Sequence, residues 1–159
     1  MIDPLVRRAR PADVDDLVEL EVTARRALVD QRGGGRWLDE HPARDDAWAE
    51  VVGADRPVVL VAVLDDLPVG FLVLDPTPPV ARVEQVYVLP EARELGFGDE
   101  LLATAIDHAR QAGATRIEGE ALPGDRTIKN LYERAGITAR LIVVSAPISG
   151  PASAADASR

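Results

Sequence analysis

The stretch Val86-Tyr-Val-Leu-Pro90-Glu-Ala-Arg93-Glu-Leu-Gly96-Phe-Gly98-Asp-Glu-Leu-Leu102 decides how this chain is read. Its first part is β-rich and stops at a proline, which has no N–H to give to a strand ladder. Its last part opens an amphipathic helix over 96–112, with Leu101, Leu102, Ala105, Ile106 and Ala109 on one face and Gly113 as its stop. The loop between carries Arg93, Gly96 and Gly98. The first N–H groups of a helix lack intrahelical acceptors and carry partial positive charge, and a glycine has no Cβ to hold an anion away. The junction therefore predicts a phosphate-binding turn, although two glycines also serve simply to turn a chain. Gly-Lys-Ser/Thr, required by a Walker loop, occurs nowhere, and the third glycine of a dinucleotide fingerprint would fall on Leu101.

Working outward, Leu5 starts an edge strand over 5–10 that ends at Pro11. Asp13 is placed to cap a helix over 14–28, where Val14, Leu17, Val18 and Val22 keep near-helical spacing. Gly33, Gly34 and Gly35 predict a flexible loop over 31–36, and a second helix is expected over 42–52, ending at Gly53. Two β-rich runs, 57–64 and 68–74, flank Asp65-Asp66 and read as a hairpin. Strands over 81–89 and 115–121, a short helix over 127–135 and a last strand over 139–148 complete the order β-α-α-β-β-β-α-β-α-β. That order predicts an α/β (α+β) fold: a central mixed sheet with helices on both faces. A single domain over 1–148 is expected, and the Ser-, Ala-, Gly- and Pro-rich tail 149–159 reads as disordered.

The chain has 159 residues, the size of about one domain, with 27 acidic and 18 basic side chains and a net charge of −9. This balance argues against nucleic acid as a partner, since binding phosphates in general needs a basic field. An aromatic content of 4% argues against base stacking. No apolar run is long enough for a signal peptide or a membrane span. With no cysteine there is no disulfide framework, thiolate metal site or cysteine nucleophile, and a cytoplasmic setting is the simplest expectation. His41 and His108 read as surface residues, and no metal is expected.

Three stretches together resemble the GNAT superfamily of acetyl-CoA-dependent N-acyltransferases. Val88-Leu-Pro90 followed by Arg93-Glu-Leu-Gly96-Phe-Gly98 matches the family's strand end and its Gln/Arg-x-x-Gly-x-Gly/Ala pyrophosphate loop. Leu131-Tyr-Glu-Arg-Ala-Gly-Ile137 is similar to the C-terminal Leu-Tyr-x-x-x-Gly-Phe helix and turn, with Ile137 for the usual Phe. Val6-Arg-Arg-Ala-Arg-Pro-Ala-Asp13 is similar to the first strand and helix start. The resemblance implies a mostly antiparallel twisted sheet whose strands carrying Val88 and Ala121 splay to admit CoA. It also implies acetyl-CoA as co-substrate, held by Arg93, Glu94, Leu95, Gly96, Phe97 and Gly98 and by the backbone of Val86 and Val88. Glu94 and Leu95 replace the Gly-Arg or Gly-Lys of many family loops, and Arg126 and Lys129 lie where they could reach CoA phosphates.

Acyl transfer to an amine needs a proton acceptor, an oxyanion donor and an acid for the departing thiolate. Glu84, on the strand entering the loop, is the candidate base; the plainer role is an ion pair with Arg82 or Arg116. Glu120, Asp125, Asp39 and Glu40 are lesser candidates. In the family a tyrosine four residues before the glycine often protonates the leaving thiolate, and Tyr132 has that spacing to Gly136; the plainer role is packing. Asp125 stands where many members have an asparagine on the pantetheine arm, and Asn130 is the nearby substitute. Trp37 and Trp48 either line the acceptor side or fill core. The function implied is transfer of acetyl from acetyl-CoA to a primary amine of a small molecule or peptide, by direct attack in a ternary complex. The alternative is a non-catalytic acyl-CoA-binding sensor or partner module of the same fold. A homodimer is compatible with either.

Overall fold

The structure, a computed structural model, describes residues 4–148. Ten regular elements follow one another: β1 (Leu5–Arg8), α1 (Val14–Leu28), α2 (Gly34–Glu40), α3 (Trp48–Gly53), β2 (Val58–Leu64), β3 (Leu67–Asp75), β4 (Val80–Val88), α4 (Phe97–Gln111), β5 (Arg116–Gly119) and α5 (Arg126–Arg134). The sheet runs in the order β1-β2-β3-β4-β5. Its first three pairings are antiparallel, and β4 pairs β5 in parallel. This is the mixed, mostly antiparallel sheet that the sequence predicts, with β1 at one edge.

The hairpin β2–β3 closes through Asp65 and Asp66, at φ 49° and 64°. Two successive positive φ values match the twist of antiparallel strands and suit short side chains that bond their own backbone. Side chains then alternate between two cores. Leu60, Ala62, Leu72 and Leu74 face α4, packing on Phe97, Leu101, Leu102 and Ala105. Val59, Val61, Phe71 and Val73 face α1 and α3, packing on Leu17, Leu20 and Trp48. Each such side chain taken fully out of water contributes about 1.5–3 kcal/mol.

Five expectations need correction. The glycine run does not stay a loop: Gly34 and Gly35 start α2, and the expected 42–52 helix is a 3-10 turn at Asp45–Ala47 followed by the shorter α3. Asp13 does not cap α1 with its side chain; both carboxylate oxygens turn back to the Arg7 guanidinium at 2.7 and 3.0 Å. The buried stripe of α1 is Leu17, Leu20, Glu21 and Ala24, and Val22 is exposed. The last strand does not form: residues 139–148 carry no regular structure, and Leu141, Ile142, Val143 and Val144 are exposed. Their β-propensity expresses a fit to a pleated, half-buried surface, and it has no effect where no partner strand is laid beside them. The tail reading for 149–159 lies outside the described residues.

Candidate active site

The site is made by an interruption in β4. Val73 pairs with Gln85 and Leu74 with Val83, so Glu84 is an extra residue on this strand. The bulge resets the face. Ala81 and Val83 point to the α4 core, and so do Val86 and Val88, three and five residues after Val83. Without the extra residue Val86 would face the other side. The β4–β5 ladder stops at the same level, with Val83 opposite Gly119 as the last pair. Past that point the outer edge of β4 has no partner strand among the described residues, and the two strands part. Glu84 and Glu120 are the first residues on either side of the opening.

A cleft of about 730 Å³ fills the gap. Of the sequence-predicted residues, Glu84, Val86, Val88 and Tyr132 line it, as do Arg93, Glu94, Leu95, Gly98 and Asn130. Gly96 and Phe97 do not. Gly96 is the left-handed joint, φ 86°, between the 3-10 turn Pro90–Leu95 and α4, and the Phe97 side chain is wholly buried in the core. The first helical bond of α4 runs from Glu100 N to Gly96 O at 3.1 Å. The amides of Phe97, Gly98 and Asp99 thus precede any intrahelical bond, which is the arrangement that accepts an anion. Arg93 is used within the chain: Nε donates to Val88 O at 2.9 Å, and the guanidinium lies over the Tyr87 ring at 5.7 Å.

Glu84 is ion-paired, but to neither predicted arginine. Arg82 and Arg116 both hold Glu118, at 3.1 and 3.0 Å. Glu84 accepts instead from Arg44 Nη2 at 3.2 Å. Arg44 is itself fixed from several sides. Nη1 donates to Glu21 at 3.1 Å and to Gln85 Oε1 at 3.0 Å, and the guanidinium lies 5.1 Å from the centre of the Trp48 ring. Glu21, 2% exposed, also accepts from Arg44 N at 2.8 Å and Trp48 Nε1 at 3.2 Å, so its buried charge is compensated. Sequence reasoning missed Arg44, Glu21 and Gln85. One signal was present: Glu21 follows Leu17 by four residues, and a carboxylate in an apolar stripe needs a cation.

Tyr132 is buried on α5 with its hydroxyl against Gly119, where no side chain stands in the way. Burial raises its pKa well above the ordinary tyrosine value, and the Glu120 charge raises it further. The phenol is therefore protonated at every ordinary pH, the state an acid requires. Asp125 caps α5, accepting from Ile128 N at 3.1 Å. Trp48 is core, edge-on to Phe71 at 5.6 Å, whereas Trp37 lines the cleft and stacks on His41 at 4.3 Å. Gln31 also lines the cleft, and its Oε1 is buried without a hydrogen-bond partner among the described residues. Arg126, Lys129, Asp39 and Glu40 are not part of the wall. Among the described residues no group of three or more His, Asp or Glu side chains is placed to hold a metal, and no helix is long and apolar enough to cross a membrane.

The family model for the acetyltransferase (GNAT) family matches residues 15–137, a span that includes the parted strand pair and the start of α4. The chain belongs to the GNAT family. It is 28% identical over 119 residues to an uncharacterized N-acetyltransferase of Archaeoglobus fulgidus, a match covering 65% of this chain and 72% of that protein. Two solved structures share the fold. An aminoglycoside N-acetyltransferase in complex with CoA superimposes with a TM-score of 0.67 at 16% identity, over 91% of this chain and all of the other. A ribosomal-protein-alanine N-acetyltransferase from Brucella melitensis gives 0.68 at 18% identity, over 93% of this chain and 99% of the other. In this GNAT chain the glycine loop, the bulge at Glu84 and the Tyr132 helix border one cleft.

Proposed function

We propose that this GNAT protein transfers the acetyl group of acetyl-CoA to the primary amine of a small molecule or peptide, by direct attack in a ternary complex. The observation that carries the proposal is the opening between β4 and β5. It begins immediately after the Val83–Gly119 pair, and it exposes a strand edge, a carboxylate and a buried phenol to the same space. The free amides at the start of α4 are suited to the pyrophosphate, with Gly98 leaving room for its approach. The unpaired edge of β4 at Val86 and Val88 is suited to the amide groups of the pantetheine arm. Asn130, at the rim, has donors and an acceptor for the same arm.

The chemistry follows from the positions. An amine is mostly protonated near neutral pH and must lose a proton before it attacks. Glu84, held by Arg44 at the cleft wall, is the proposed acceptor of that proton, directly or through water. The nitrogen then bonds to the thioester carbonyl carbon, and the backbone N–H groups of the open β4 edge stabilise the oxyanion. As the C–S bond breaks, the sulfur takes the proton of Tyr132, which a second proton from the acylated nitrogen restores. No covalent enzyme intermediate is needed, consistent with a chain that has no cysteine.

The test is thiol release from acetyl-CoA across a panel of primary amines, with Glu84→Gln and Tyr132→Phe beside the parent protein. Loss of a positioned acid or base lowers kcat by about 10²–10⁴-fold. If acetyl-CoA raises the melting temperature but no amine is acetylated, the chain is a non-catalytic acyl-CoA-binding module. If acetyl-CoA does not bind, the site assignment itself fails.

A further inference from the structure

We infer that Glu120 is the anchor for the acceptor's ammonium group, opposite Glu84, and that it makes the site selective for a cationic amine; this rests on the acetyltransferase function proposed above. In a parallel ladder Val83 faces Gly119, so Glu84 and Glu120 are the next residues on the two diverging strands. They also lie on one face. Arg82 and Glu118, the pair just before, are joined on the side away from the α4 core, as their 3.1 Å ion pair and the inward Val83 require. Glu120 follows Glu118 by two residues and so returns to that side. Glu84, on the bulge, is drawn to the same side by Arg44, which sits over Trp48 in the opposite core. Both carboxylates line the cleft.

The two differ in what already satisfies them. Glu84 is engaged by Arg44. Glu120 is exposed and forms no ion pair or hydrogen bond among the described residues. The nearby arginines are already taken: Arg44 is shared by Glu21 and Glu84, and Arg82 and Arg116 are held by Glu118. Glu120 is left without a cation of its own, and its negative field already reaches the Tyr132 hydroxyl. A carboxylate this close to the proposed reacting atoms attracts an ammonium group and repels an anion. It binds the substrate in its charged form, before the proton is lost, so its contribution falls on binding and not on the chemical step.

The experiment compares Glu120→Gln and Glu120→Asp with the parent protein, using benzylamine, ethanolamine and 1,4-diaminobutane as cationic acceptors and aniline as a neutral one. Thiol release is measured together with calorimetric binding of each amine to the protein–CoA complex. The expected result for Glu120→Gln is a rise of about tenfold or more in KM and Kd for the cationic amines, with kcat within twofold. Aniline should be unmoved, and Glu120→Asp should recover part of the loss. The melting shift produced by acetyl-CoA should stay the same in both variants. Unchanged KM and Kd in Glu120→Gln overturn the inference while leaving the acetyltransferase function standing. A fall in kcat at constant KM overturns it as well, because Glu120 would then act in the chemistry. A parent protein that binds no cationic amine in the presence of CoA removes both.

Discussion

Adding a single methyl group at Gly119 should disable the site without touching any ionisable residue. The last residue of β5 has no Cβ, and the Tyr132 ring occupies that space. A Cβ built on Gly119 overlaps Tyr132 Oη and stands 2.5 Å from Cζ and 2.8 Å from Cε1. Carbon atoms pack best about 3.5–4.0 Å apart, so the ring in Gly119→Ala has to retreat by about 1 Å at its hydroxyl end. The ring cannot simply swing aside, because Tyr132 is buried beside Leu131 and the α4 core. Gly119 does not have a positive φ, so alanine is conformationally acceptable there and the effect isolates the contact. Overpacking of this kind costs about 1–3 kcal/mol, partly offset by about 0.4–1 kcal/mol from a stiffer unfolded chain. The functional effect should be larger, since displacing a reacting group by about 1 Å costs about 10²-fold in rate. Thiol-release kinetics and a thermal melt measure both quantities. Gly119→Ala should melt within several degrees of the parent and lose kcat about as severely as Tyr132→Phe. A Gly119→Ala protein with parental kcat, set against a crippled Tyr132→Phe, would refute the placement of the working hydroxyl against β5.

Two further predictions concern stability. Asp13 takes two bonds from Arg7 and one from Arg10 N at 2.7 Å, and the Arg7 bond foremost holds its pKa below the ordinary carboxylate range. The folded state therefore binds this proton more weakly than the unfolded chain does. The stabilisation is complete above the unfolded value of about 3.9 and is lost as pH falls through the lower folded value. Asp13→Asn should cost about 1.5–3 kcal/mol at neutral pH, and its melting difference from the parent should shrink below about pH 4; a difference constant down to pH 2 would refute the ion-pair origin. Gln31→Met removes a buried carbonyl oxygen that has no partner, a cost of about 1–3 kcal/mol, and should raise the melting temperature by a few degrees. A lower melting temperature would mean that Oε1 is hydrogen-bonded in solution.

The fold was legible where a local pattern and its partner are both written in nearby residues. Asp65-Asp66 between two β-rich runs can make little other than a hairpin, and Gly113, at φ 91°, ends α4 where expected. The turn at Gly96 was legible because its left-handed φ of 86° favours glycine. What failed depended on distant partners. The Leu141–Val144 run has the composition of a strand, but no strand among the described residues pairs with it. The partner of Glu84 could not be found by proximity along the strand, because Arg44 arrives from a loop 40 residues earlier, held there by Glu21. The parting of β4 and β5 was expected only from the family resemblance. The structure gives it a local cause, an extra residue at Glu84 at the level of the last pair, and no composition or periodicity signals a bulge of that kind.

The structure also explains why the two most specific motifs of this chain occur together. Gly98 belongs to the loop that is proposed to hold the pyrophosphate. Its missing Cβ has a packing consequence: built in, it would lie 3.0 and 3.3 Å from the two Leu131 methyl groups. Leu131 precedes Tyr132 on α5, so the spacing between the loop that is to hold the cofactor and the helix that presents the phenol is set by one glycine. Gly119 sets the other coordinate, the depth of the Tyr132 hydroxyl against β5. The phenol is thus located by two absent side chains, one at the start of α4 and one at the end of β5. A tyrosine so constrained loses little further freedom when substrates arrive, and that preorganisation lowers the cost of reaching the reactive geometry.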